Sequence, residues 1–224
     1  MTHTEKVHVV LGILAALTGG LALWRVVRPE SRAGLAWPVL AFLIGFCLFI
    51  PVESQSRTYQ VVGWPDVLSS AMPEHPATWL RDWFHYLPQR HVIQHKIGAL
   101  FMMAIGVIES LRAGGRLSSS AWGLMLPSLL LGVALSFGVH GGTAVHLSHT
   151  TEQVNHHLLG VAFAIGAVTL ALARTGRVHG RLWEGTWAAL VLLIGLTLAV
   201  SYRLTPAERS TEVHHHASTS PGLR

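Results

Sequence analysis

Cysteine is nearly missing from this chain: Cys47 is the only one among 224 residues. No intrachain disulfide can form, and the paired thiols of zinc ribbons, iron–sulfur centres and redox motifs are excluded. Charge is scarce as well, at 12% of residues. No Cys-x-x-Cys-His attaches a haem covalently, no Gly-rich loop is spaced to cradle phosphates, and no Ser/His/Asp arrangement stands out. No residue is therefore assigned a catalytic role, and an enzyme is not the expectation.

What is present is apolar. Half the residues are hydrophobic and the mean hydropathy is +0.44, well outside the range of an ordinary soluble domain. Six runs approach the roughly 20 helical residues needed to cross a hydrocarbon core. They lie at about Val7–Val27, Leu35–Val52, Val92–Leu111, Ala121–Val139, Val154–Ala173 and Trp183–Tyr202. Small residues recur inside them, among them Gly12, Gly19, Gly98, Gly106, Gly160 and Gly195, which lets helices approach closely in a membrane. The expected fold is an all-α integral membrane bundle of six transmembrane helices. It forms a single domain over residues 1–203, followed by a flexible tail at 204–224. Lys6 ahead of the first run also fits a signal peptide, but the run is read as a span.

The cations set the expected sidedness. The three short connections after spans 1, 3 and 5 hold Arg25, Arg28, Arg32, Arg112, Arg116, Arg174, Arg177 and Arg181 against only Glu30 and Glu184. Short cationic loops stay in the cytoplasm. Both termini then lie outside, with the 53–90 loop and the 140–153 loop. This fits a bacterial inner membrane whose histidine-rich side faces the periplasm. The net charge of +5 is a topology signal and not a nucleic-acid footprint. On this topology fourteen of the fifteen histidines are outside, and only His179 is inside.

The chain also echoes itself. His95-Lys96-Ile97-Gly98 opens a span that runs to Leu111-Arg112-Ala113-Gly114-Gly115-Arg116, and His157-Leu158-Leu159-Gly160 opens one that runs to Leu172-Ala173-Arg174-Thr175-Gly176-Arg177. His8, Gly12 and Trp24-Arg25 repeat the order in the first span. Each partner span begins near a tryptophan: Trp37, Trp122 and Trp187. The unit is a helical hairpin used three times, at about 1–52, 90–140 and 153–203, and such repeats often build a site between equivalent helices.

Imidazole is the commonest protein ligand for transition metals. His91 and His95 share a helical face. His140 precedes Gly141-Gly142, His146 and His149, and His156 with His157 enters span 5 about 100° apart, so that one of the two looks inward. The candidate metal ligands are His91, His95, His140, His146, His149, His156 and His157, with Glu53, His8 and Met102 as secondary candidates. Imidazole with a thioether suits copper, and imidazole with carboxylate also suits zinc. The plain alternative is an interfacial hydrogen-bonding histidine, as expected for His3, His75 and His179. His214-His215-His216 would hold metal in any flexible peptide. Ala77–Tyr86 in the 53–90 loop reads as a short interfacial helix, which makes the loop either a lid anchored to the surface or, with His85 over the rim, a docking surface for a soluble partner. Glu109 is either a proton relay or an ion pair with Arg112.

The pattern His91-x-x-x-His95-Lys96-x-Gly98 together with His156-His157-x-x-Gly160 resembles polytopic bacterial membrane proteins of the copper-resistance protein D type, over about residues 90–175. The resemblance implies copper uptake, delivery or resistance at histidines near the outer helix ends, with a periplasmic metallochaperone as a possible donor. The chain lacks that family's Met-rich periplasmic domain. Two alternatives stand beside copper handling. One is a b-type haem electron-transfer protein with axial ligands drawn from His95, His140 and His157. The other is a non-catalytic subunit of a larger membrane metalloenzyme complex, with other membrane subunits as partners. On the copper reading, His95→Ala and His157→Ala each lower bound metal, measured by elemental analysis, and His179→Ala leaves it unchanged.

Overall fold

The computed structural model describes residues 3–49, 90–138 and 150–204, with side chains over 8–49, 93–138 and 156–200. The described residues are helical and contain no strand. They form α1 (His3–Val27), α2 (Trp37–Phe49), α3 (Arg90–Ala113), α4 (Met125–Gly138), α5 (Thr150–Arg174) and α6 (Arg181–Leu204). A 3-10 turn, Ala33–Ala36, leads into α2, and one helical turn, Ser120–Gly123, precedes α4. The 53–90 loop (beyond the start of α3) and the 204–224 tail (beyond Leu204) lie outside the described residues, with His3's side chain, His75, His85 and the 214–216 histidines.

Among the described residues, four helical stretches are long and apolar enough to cross a membrane: His8–Val27, Ser120–Gly138, His156–Arg174 and Arg181–Val200. Ala33–Phe49 is apolar but shorter. Helix α3 is as long as the others but buries Lys96 and Glu109 within its length. Both charges have partners: Lys96 Nζ donates to Leu48 O at 3.0 Å, and Glu109 accepts from Arg112 Nη1 at 2.6 Å. Burying either without a partner would be costly. The ion-pair alternative for Glu109 is thus the arrangement observed.

Local sequence explains the ends. Pro38 and Pro127 sit in the first turns of α2 and α4, where a missing N–H removes no helical bond. Helices α3 and α5 close in the same way. Gly115 (φ 74°) and Gly176 (φ 71°) take the left-handed conformation, and Arg116 N and Arg177 N donate back to Leu111 O and Leu172 O, each at 3.0 Å. This is a glycine-dependent Schellman cap. Within the apolar stretches, Thr18, Thr169 and Thr197 return their hydroxyls to carbonyls one turn earlier, at 2.7–2.9 Å. The helix therefore satisfies its own polar groups, as a hydrocarbon surrounding requires.

Each helix packs on the next in sequence and α6 returns to α1, closing a ring. The most extensive seams are α6 on α1, α2 on α3, and α4 on α5. Glycine sets how close the first two come. A Cβ at Gly12 would lie 2.7 Å from Ala199 N, one at Gly45 2.6 Å from Ala99 O, and one at Gly106 2.6 Å from Pro38 O. Inside the ring, Trp37 and Trp187 meet edge-on at 5.1 Å beside Ile105, Leu126, Leu130 and Leu170. Outside it, Leu17, Val39, Leu100, Leu135, Val161 and Leu193 are exposed, an apolar exterior unlike that of a water-soluble bundle.

The same burial recurs along the chain in a fixed register. Gly12, Ala99 and Gly160 are buried, as are Gly19, Gly106 and Ala167, and Ala22, Glu109 and Leu170. The interval between the caps Gly115 and Gly176 also separates His95 from His156 and Leu126 from Trp187. The register therefore differs from the sequence alignment in two places. His156 occupies the position assigned to His157, and Leu126 occupies the one assigned to Trp122, which is 36% exposed. Identity drew both misalignments, because histidine and tryptophan each had a like residue a few positions away.

Gly12→Val and Gly195→Val should each destabilise the protein by about 2–3 kcal/mol through overpacking of the α1–α6 seam. Gly20→Ala should stay within about 0.5 kcal/mol, since nothing lies within 4 Å of its added Cβ. Thermal unfolding in a mild detergent reads the difference, and equal effects would disprove the seam argument.

Candidate functional site

One imidazole from each of α1, α3 and α5 meets at the end of the ring where those helices begin. The ring centroids of His95 and His156 are 6.0 Å apart, and those of His8 and His156 are 6.5 Å apart. His156 is 5% exposed; His8 and His95 are half-buried. The Nδ1 atoms of His95 and His156 are shielded from solvent. Phe137 of α4 stacks on His156 at 5.6 Å and on Phe163 of α5 at 6.1 Å, so an aromatic wall backs the histidines.

Three features of sequence produce this. Histidine recurs near the start of three helices, glycine or alanine one turn later brings the helices close, and the ring closure turns those faces inward. Lys96 follows His95, and the bond from its Nζ to Leu48 O ties the rim of α3 to the last turn of α2, where a cation complements the helix dipole. Among the side chains described at this end there is no carboxylate.

The candidate residues divide as follows. His8, His95 and His156 are brought together. His157 is exposed, so of the adjacent pair it is His156 that faces the ring interior. Met102 packs against the apolar core about two turns deeper than His95. The side chain of His91 and residues His140, His146, His149 and Glu53 lie outside the described residues. His179 is exposed in the connection between α5 and α6, at the far end. His8 ranked low in the sequence because a lone histidine near a terminus carries little signal. The matching caps at Gly115 and Gly176 were the available clue that His95 pairs with His156.

Imidazoles sharing one metal at about 2.0 Å per nitrogen hold their ring centroids roughly 5–5.5 Å apart. The observed separations are wider, and among the described residues no three His, Cys, Asp or Glu side chains stand in ligand geometry. The donor set suits a metal chemically. Axial imidazoles trans across one haem iron would stand roughly 6.3 Å apart by the same reckoning, close to the His95–His156 separation of 6.0 Å, while Phe137 occupies one face of His156.

Because His156 is buried against Phe137, His156→Ala should cost about 2 kcal/mol or more. His157→Ala should cost less than about 0.5 kcal/mol. Thermal unfolding of the metal-free protein distinguishes them, and the reverse order would overturn the inward placement of His156.

No family model matches this sequence, and neither a curated protein nor a solved structure is similar to it.

Proposed function

We propose that this is an integral membrane protein of the bacterial inner membrane that binds a transition metal, copper first, at the histidine end of the ring. The observation that carries the proposal is the meeting of His8, His95 and His156 from three separate helices. Isolated interfacial histidines have no reason to converge, whereas three neighbouring imidazoles are, by their chemistry, a candidate ligand set. Neutral nitrogen donors, no described carboxylate and a buried ammonium on the neighbouring residue Lys96 favour a singly charged soft ion over zinc. His140, His146 and His149 lie between α4 and α5 in the sequence and are proposed as further ligands. Uptake, delivery and resistance all begin with capture of this kind.

The topology proposed with it is six spans in three hairpins, both termini outside. Its support is that eight of the sixteen Lys and Arg crowd into three short connections away from the histidines, whereas the other eight are spread over far more chain and matched by acids, and that burial recurs in one register through α1, α3 and α5 and through α2, α4 and α6. Cytoplasmic retention of short basic loops then puts the histidines on the periplasmic side.

Elemental analysis of protein purified without a metal-leaching resin should find about one copper per chain and no Soret band. His8→Ala, His95→Ala and His156→Ala should each lower that content at least threefold, with His157→Ala and His179→Ala unchanged. Iron with a Soret band would replace this function with haem-based electron transfer. Metal-free protein that retains a partner would replace it with a subunit role.

A further inference from the structure

The opposite end of the ring holds a cavity of about 240 Å³. Arg25 of α1, Arg112 of α3 and Arg174 of α5 line it, over a floor that includes Trp37 and Trp187. Two acids share the lining, Glu109 and Glu184. About 25 Å of helix separates it from the histidines, so it is a distinct site.

The charge balance favours an anion. Three guanidinium groups face two carboxylates, and one carboxylate is engaged by Arg112 Nη1 at 2.6 Å. Helices α1, α3 and α5 end here while α2, α4 and α6 begin here, so opposed helix dipoles largely cancel and the side chains decide the sign. Arg181, directed to Val27 O at 3.4 Å, adds positive potential near this end, whereas Arg28 is held over the Trp24 ring at 5.0 Å, outside the lining. Had the arginines served only to orient the chain in the bilayer, any position in the connections would suffice. Instead one from each of three helices borders a single cavity.

Size and chemistry narrow the ligand. The volume is about eight times the ~30 Å³ share of one water and lies below the ~300–1,000 Å³ of pockets for drug-sized molecules. A phosphate with a small ester substituent fits this volume. Guanidinium forks match phosphate oxygens in pairs, and basic pockets between helices on the cytoplasmic side are natural receptors for phosphate headgroups.

We infer that this cavity binds a phosphate group, with Arg25 and Arg174 as the principal ligands and Arg112 held ready by Glu109. The group comes either from an anionic lipid headgroup or from a free phosphate compound, and the same protein distinguishes them. Full-length protein in a maltoside detergent is titrated with inorganic phosphate by calorimetry, and lipid retention is measured by native mass spectrometry with phosphatidate against phosphatidylcholine. Binding of phosphate itself identifies the free compound, and retention of phosphatidate alone identifies the lipid; either supports the site. In the double variant Arg25→Gln/Arg174→Gln the affinity should fall at least tenfold, and in Arg25→Lys/Arg174→Lys, which keeps charge and topology, at least threefold. Arg28→Gln, outside the cavity lining, should match the wild type. No preference for phosphate over chloride and none for phosphatidate over phosphatidylcholine would overturn the inference, as would equal losses in Arg28→Gln. Copper content plays no part in this readout, so its failure and that of the metal site are separable.

Discussion

Backbone-to-backbone approach at glycine governs this molecule. In lipid, apolar side chains gain little by leaving their surroundings for one another, so helices associate through close van der Waals packing and through polar groups that need partners. Gly12, Gly19 and Gly195 on the α1–α6 seam, and Gly45 and Gly106 on the α2–α3 seam, leave no room for a Cβ. Those seams close the ring, and the closed ring is what turns one face of α1, α3 and α5 toward the centre. The histidines at one end and the arginine-lined cavity at the other both follow from that rotation.

The two ends are chemically complementary. One offers imidazole nitrogens backed by Phe137, with Lys96 buried beside them. The other concentrates guanidinium groups with only partial neutralisation by Glu109 and Glu184. Between them lies an apolar core of Trp37, Ile105, Leu130, Leu170 and Trp187, and Glu109 is the acid buried toward its arginine end.

Much of the fold was legible from residue order. All six apolar runs are helical where the chain is described, because length and hydropathy dictate helix wherever backbone groups have no water to bond. The short connections, their arginines and the Leu-x-x-x-Gly-Arg endings of α3 and α5 were readable for the same local reason. The site was legible only as a class of residue. His95 and His156 stood among the candidates, but the equivalence drawn to His157 slipped by one position, and one position on a helix is about 100° of rotation.

Hydrophobicity, helix ends and charge distribution are properties of short stretches, and so the all-helical architecture and the placing of histidine and arginine at opposite helix ends were already set by residue order. Which of two neighbouring histidines faces inward, whether Leu126 or Trp122 meets the core, and that three arginines share one cavity were decided by ring closure. Those outcomes depend on helix rotation, which is fixed by contacts between segments far apart in the chain.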